Sequence, residues 1–194
     1  MADFKSILSA VEKHVRLTDS EAAVLHSLLE SRSLRANELI ANAGEPSQHF
    51  IFVTMGCLMT YHTSTEGVEH VLQFATANWW TGDLGSFEKH TPSCYSTRAI
   101  ADTEVFLLTL KGFEELLERV PKLEKYFRII FQNSLITHGG RIMQAISYTA
   151  EERYEAFREK YPTLEQFVPQ KYIASYLGVT PEFLSKIRRR LMAK

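Results

Sequence analysis

The chain has 194 residues, 45% of them hydrophobic and 23% charged, with a formal net charge of −1. That length holds one large domain or two small ones, and the composition is that of a globular protein and not of a disordered one. No apolar run reaches the roughly 18 residues that cross a bilayer, and Met1-Ala2-Asp3-Phe4-Lys5 lacks the basic start and apolar stretch of a secretory signal, so a cytoplasmic location without a membrane partner is expected.

Residues 3–30 have helical spacing, with Ile7, Leu8, Val11 and Val15 three and four apart. Thr18-Asp19-Ser20-Glu21 fits a capping box and starts a second helix through Val24, Leu25, Leu28 and Leu29. From about Ser33 the pattern changes to short strands rich in β-branched and aromatic residues: 39–40, 50–53, 57–61, 70–74 and 105–108. Turn signals at Ala43-Gly44-Glu45-Pro46, Met55-Gly56 and Glu66-Gly67 separate them. Strands punctuated this often predict a barrel or jelly roll whose interior holds side chains or a ligand. Cys57 and Cys94 are too few for a disulfide framework or a four-thiolate cluster and are expected as free thiols.

Helix returns near Gly112, and Pro121 precedes a long helical segment over 122–147. Leu123, Tyr126, Phe127, Ile130, Leu135, Ile136, Ile142, Met143 and Ile146 put apolar surface on more than one side of it. The reading is one face on the β region and another on a second copy of the chain, with burial inside a monomer as the alternative. Gly139-Gly140 interrupts it, as a close helix approach or as a hinge. Thr149-Ala150-Glu151-Glu152 is a second capping-box pattern and opens a helix that Tyr161-Pro162 ends. The expected division is therefore a β-roll domain over 1–120, a dimerisation helix over 121–148 and a terminal domain over 149–194.

The terminal stretch is the most specific. Ile173, Ala174 and Leu177 form the inner face of a short helix, Gly178 sits at the turn, Thr180 suits an N-cap and Pro181 the first turn of a second helix. Leu184, Ile187 and Leu191 lie on one stripe of that helix; at 100° per residue Glu182, Ser185, Lys186 and Arg189 fall on the other side, flanked by Arg190. A small residue, a glycine four later and an aliphatic residue beyond it make a helix-turn-helix pattern. From Pro169 to Lys194 there are six basic residues against Glu182 alone, on a body carrying 16 basic and 22 acidic residues. A basic end on an acidic body is the electrostatic footprint of a nucleic-acid-binding module, here for double-stranded DNA. Phosphate contacts are expected from Lys171, Arg188, Arg190 and the N-terminus of the first helix at Gln170. Base reading is expected from Glu182, Ser185, Lys186 and Arg189, next to Thr180.

On these residues the chain resembles the Crp/Fnr family of bacterial transcription regulators from about Leu17 to Leu191. Gly82-Asp83-Leu84-Gly85-Ser86-Phe87 is similar to the family's phosphate-loop segment, and Arg98-Ala99-Ile100-Ala101-Asp102-Thr103-Glu104-Val105 to the strand after it. Ala150-Glu151-Glu152-Arg153-Tyr154 and Ile173 to Glu182 resemble runs in members from the Bacteroidetes. The resemblance implies an α+β architecture: an N-terminal β-roll (a double-stranded β-helix or jelly roll) with flanking helices, a long dimerisation helix and an all-α helix-turn-helix. It implies a homodimer placing two recognition helices in successive major grooves, RNA polymerase as a further partner, and a small-molecule effector of unidentified kind, or none. Trp79, Trp80, Gly82, Asp83, Leu84, Ser93 and Cys94 are the effector-pocket candidates; Trp79 and Trp80 also suit core packing. Cyclic AMP is not expected: Ser93 and Cys94 stand where cyclic-AMP-binding members have an Arg-Ser pair, no guanidinium is available for the phosphate, and Asp83 shortens the carboxylate that meets the ribose. Two cysteines do not make the family's iron–sulfur cluster. The segment from Tyr161 to Val168 is short and the sequence stops soon after the second helix, so little or no β-wing is expected.

Two other classes compete. A cupin-like enzyme would need converging histidines and a carboxylate; His62 and His70 flank the Glu66-Gly67 turn and could face each other, but there is no His-x-His pair, and no catalytic residue or metal ligand is expected. The other is a ligand-binding module whose terminal helices meet a protein, against which the basic outer face argues.

Overall fold

The computed structural model describes residues 2–192. Two helices open the chain, α1 (Phe4–Glu12) and α2 (Asp19–Ser27). The capping box forms at α2, where Thr18 accepts from the Glu21 backbone while the Glu21 carboxylate accepts from Thr18 N at 2.7 Å. Lys122 Nζ adds an ion pair at 2.8 Å to the same carboxylate. These contacts bring the Glu21 pKa down to about 2.

Helix does not continue to residue 30, as its spacing suggested. Residues Glu30–Leu34 form strand β1, which pairs antiparallel with β8 (Thr103–Thr109) from Glu30↔Leu107 to Leu34↔Thr103. Glu30-Ser31-Arg32-Ser33 is exposed throughout, so no apolar alternation marked this strand. Its partner strand supplies the reason for it.

Between β1 and β8 run β2 (Leu39–Ala41), β3 (His49–Met55), β4 (Cys57–Thr63), β5 (Glu69–Thr76), β6 (Trp79–Thr81), helix α3 (Leu84–Lys89) and β7 (Ser96–Ala99). They build two antiparallel sheets, ordered β1-β8-β3-β6 and β2-β7-β4-β5. Gly56 joins β3 to β4 at φ +86°, and a Cβ there would lie 2.5 Å from Asp102 O. Only glycine fits both the conformation and the space.

The central strands β3, β4 and β8 are covered on both faces, which explains their nearly continuous apolar runs. Ile51, Val53, Leu58, Ala75, Ala99, Val105 and Leu107 meet between the sheets and fill the roll. Phe50, Phe52, Phe106 and Leu108 point the other way, onto the helices that flank the first sheet. Cys57, Met59, Tyr61, Val71 and Phe74 point outward from the second sheet, onto the C-terminal helices.

After β8 come α4 (Leu110–Arg119) and the long helix α5 (Leu123–Ser147). Leu123, Tyr126 and Phe127 are buried against the roll, where Trp80 Nε1 donates to Tyr126 Oη at 2.9 Å. Beyond them α5 runs unbroken through Gly139 and Gly140, and a Cβ at either would meet nothing within 4 Å. Leu135, Ile136, Ile142, Met143 and Ile146 remain 60–78% exposed. The chain closes with α6 (Ala150–Lys160), a 3-10 turn over Leu164–Gln166, α7 (Gln170–Leu177) and α8 (Pro181–Met192). The segment from Tyr161 to Val168 thus holds a 3-10 turn and no strand.

Candidate nucleic-acid interface

The two last helices are set by local chemistry. Gly178 ends α7 at φ +67°, its N–H donating to Ser175 O, while Val179 N–H returns to Ala174 O. This left-handed cap satisfies carbonyls that a helix end would otherwise leave unpaired. Thr180 Oγ1 accepts from Phe183 N at 3.2 Å and starts α8. Ala174 is fully buried where α7 packs, and Leu184 and Ile187 close the contact from α8.

The outward face of α8 presents Glu182, Lys186 and Arg189 exposed, with Phe183 at 43% exposure beside them. Arg190 is exposed and pairs with Glu151 of α6 at 2.9 Å. Arg188 is less exposed and turns toward Glu165 at 4.0 Å, a carboxylate that Arg158 and the Tyr154 hydroxyl also engage. Ser185 is half-buried: its hydroxyl donates to Pro181 O at 3.0 Å and accepts from Gln170 Nε2 at 2.8 Å. Ser185 and Gln170 therefore tie α8 to the start of α7, whereas Lys186 and Arg189 make no ion pair among the described residues. Lys171 is exposed on α7, its ammonium 4.7 Å from the Tyr172 ring. Lys194, counted in the basic end, lies outside the described residues.

The expected effector residues do not form one site. Gly82, Asp83 and Ser93 surround a space of about 20 Å³ at the mouth of the roll. Ser93 Oγ donates to Asp83 Oδ2 at 2.8 Å, and Ser86 Oγ donates to Thr91 O at 2.6 Å, which draws the loop shut. Ligand pockets are on the order of 300 Å³ or more. No cation lines the space, so the loop does not fit a cyclic nucleotide by size or by charge. Arg98 lies on β7 between inward Thr97 and Ala99 and points out of the roll, to Glu69 and the Tyr172 hydroxyl, both at 2.6 Å. Leu84 and Cys94 are on the surface. Trp80 is buried and stacked on Phe50 at 4.7 Å. Trp79 faces the other way, toward Tyr161 at 5.9 Å.

Sequence spacing did not reveal how the terminal helices join the roll. Ser175 Oγ accepts from Val71 N at 2.9 Å and donates to Glu69 O at 2.8 Å, so one hydroxyl completes the free edge of β5. Arg141 of α5 donates to Leu72 O on β5 and to Tyr176 O on α7, and its guanidinium lies 4.0 Å from the Tyr176 ring. Tyr161 Oη donates to Phe74 O at 3.2 Å. The roll and the terminal helices thus share one buried cluster within a single chain, and Arg141 ties the long helix to both.

His62 and His70 are cross-strand partners in the β4–β5 register, and His62 Nδ1 lies 3.0 Å from Cys94 O. Among the described residues no group of three His, Cys, Asp or Glu is placed to hold a metal, and no helix is long and apolar enough to cross a membrane.

Residues 31–120 match the family model of the cyclic nucleotide-binding domain. The chain is 24% identical over 96% of its length to a protein of Lacticaseibacillus casei described as "Probable transcriptional regulator flp", covering 87% of that protein. It is 23% identical to the transcriptional activator protein anr of Pseudomonas aeruginosa, over 82% of this chain and 69% of that one. The fold is that of FixK2 from Bradyrhizobium japonicum, with a TM-score of 0.73 at 19% identity over 85% of each chain.

Proposed function

We propose that the chain is a Crp/Fnr-type transcription regulator, a reading supported by its likeness to such regulators, and that it binds double-stranded DNA as a homodimer, with α8 as the recognition helix and α5 as the dimer contact. The observation that carries this reading is the division of α8. Leu184 and Ile187 are buried against α7, while Glu182, Lys186 and Arg189 stand in solvent. A carboxylate on that face can accept from cytosine N4 and the cations can donate to guanine O6 and N7, at roughly 1–3 kcal/mol of discrimination for each good contact. Lys171, Arg188 and Arg190 supply phosphate contacts, the last two by exchanging Glu165 and Glu151 for the duplex. Ser185 and Gln170 hold the two helices at their crossing angle and so act as positioning residues. On this reading the functional division is roll over 1–120, dimer helix over 121–148 and helix-turn-helix over 149–194.

The relatives are regulators and not enzymes, and we read this chain the same way, acting by binding in the cytoplasm with RNA polymerase as a further partner. The closed phosphate loop argues that any effector of this chain is something other than a cyclic nucleotide. The test is fluorescence anisotropy on a duplex selected by the full-length chain from a random pool, with random duplex as competitor. Affinity falls steeply with added salt, and Lys186→Ala narrows the gap between selected and random duplex. Equal gaps for the variant and the parent chain remove Lys186 from base reading.

A further inference from the structure

Beyond the closed loop, a cavity of about 270 Å³ lies where the roll, α5 and the terminal helices meet. Its walls include the rings of Trp79, Tyr161 and Tyr176; Tyr161 and Tyr176 stand edge to face at 6.0 Å. Two cations open into it, Arg141 from α5 and Lys160 from the end of α6, and no carboxylate lines it. Lys160 has no ion pair among the described residues; its ammonium lies 5.1 Å from the ring centres of both Trp79 and Tyr161. Ring faces hold a cation without neutralising it. Partial burial and the charge of Arg141 together lower the Lys160 pKa to about 8. Two like charges kept together at a half-buried site, with no anion of the chain's own, leave a charge to be met from outside.

We propose that this junction cavity is a binding site for a small planar aromatic anion, its ring stacked among Trp79, Tyr161 and Tyr176 and its carboxylate held by Lys160 and Arg141. The volume suits a ligand of one or two fused rings. The cavity face of α5 carries Ile130, Thr137 and Arg141, which at 100° per residue fall within about 40° of one another. Leu135, Ile142 and Ile146 point to the opposite side of the helix, so the face offered to a second copy is not the cavity's. Because Arg141 also donates to Leu72 O and Tyr176 O, an occupant touches all three parts of the chain at once. It favours whichever arrangement of them it fits better, and shifts DNA affinity accordingly.

The test is calorimetric titration of the full-length chain with naphthoate, in the absence of DNA, so that its outcome is independent of the DNA-binding reading. Saturable binding is expected. Lys160→Gln weakens it at least tenfold and Lys160→Arg restores most of the loss. Thr137→Trp, which fills the cavity from α5, abolishes it. Neutral naphthamide binds the parent chain at least tenfold more weakly than naphthoate. No saturable binding of naphthoate, or equal affinity in the parent chain, Lys160→Gln and Thr137→Trp, overturns the assignment.

Discussion

Leu135→Glu tests the dimer contact, because this residue serves no purpose within a single subunit. Its side chain is 75% exposed on α5, next to Ile142 at 63% and Ile146 at 78% along the same seam. Spacings of seven and four place these three on one stripe of a parallel two-helix contact, with Gly139 between them where two helix backbones can approach. Burying an aliphatic side chain fully is worth about 1.5–3 kcal/mol. Three-quarters of that remains available at position 135, so losing it from both subunits costs about 3 kcal/mol. Two carboxylates would then face each other across the seam, and desolvating them costs several kcal/mol more. The sum is at least about 5 kcal/mol, more than a thousandfold in the dissociation constant. Sedimentation equilibrium at micromolar concentration should show the parent chain as a dimer and Leu135→Glu as a monomer, with the far-ultraviolet helix signal retained. A Leu135→Glu chain that still sediments as a dimer, or a monomeric parent chain, refutes this use of α5.

Three further outcomes follow from other parts of the fold. Ser175→Ala leaves the Val71 amide and the Glu69 carbonyl without their partner, at roughly 2 kcal/mol or about thirtyfold in local opening; faster hydrogen exchange at Val71, with little change in the roll interior, checks it. Native protein should react with a thiol reagent at Cys94 and not at Cys57, since burial pushes the Cys57 thiol up to about 12 while Cys94 is exposed; two fast equivalents would contradict this. For Lys160 the folded pKa lies below the unfolded one, so between pH 8 and 10.5 the unfolded chain binds more protons and stability rises with pH. Urea titrations across that window should show the parent chain gaining on Lys160→Met, and naphthoate binding weakening as the ammonium is lost.

The helix-turn-helix was legible because each of its residues answers a local demand: Ala174 at a close crossing, Gly178 at positive φ, Thr180 at an N-cap. The capping boxes at Thr18 and Thr149 were legible for the same reason. What escaped was set by partners distant in sequence. Strand β1 is polar and exists because β8 lies beside it. Ser185 and Gln170 read as DNA contacts, yet each finds its first partner in the other across fifteen residues. Leu72, Arg141, Lys160 and Tyr176 converge from four elements, and no spacing announces such a cluster. The phosphate loop lay between these extremes. The missing arginine was visible in the sequence, but the bond from Ser93 to Asp83 that closes the loop was not.

On the proposed reading, paired α8 helices read duplex DNA through their outward face. Hydroxyl-radical footprinting of the full-length chain on its selected duplex tests it most directly. Two protected patches should appear with centres about one helical turn, roughly 34 Å, apart, and both should fade together with Lys186→Ala. One protected patch, or protection indifferent to Lys186 and Arg189 substitutions, would contradict the account.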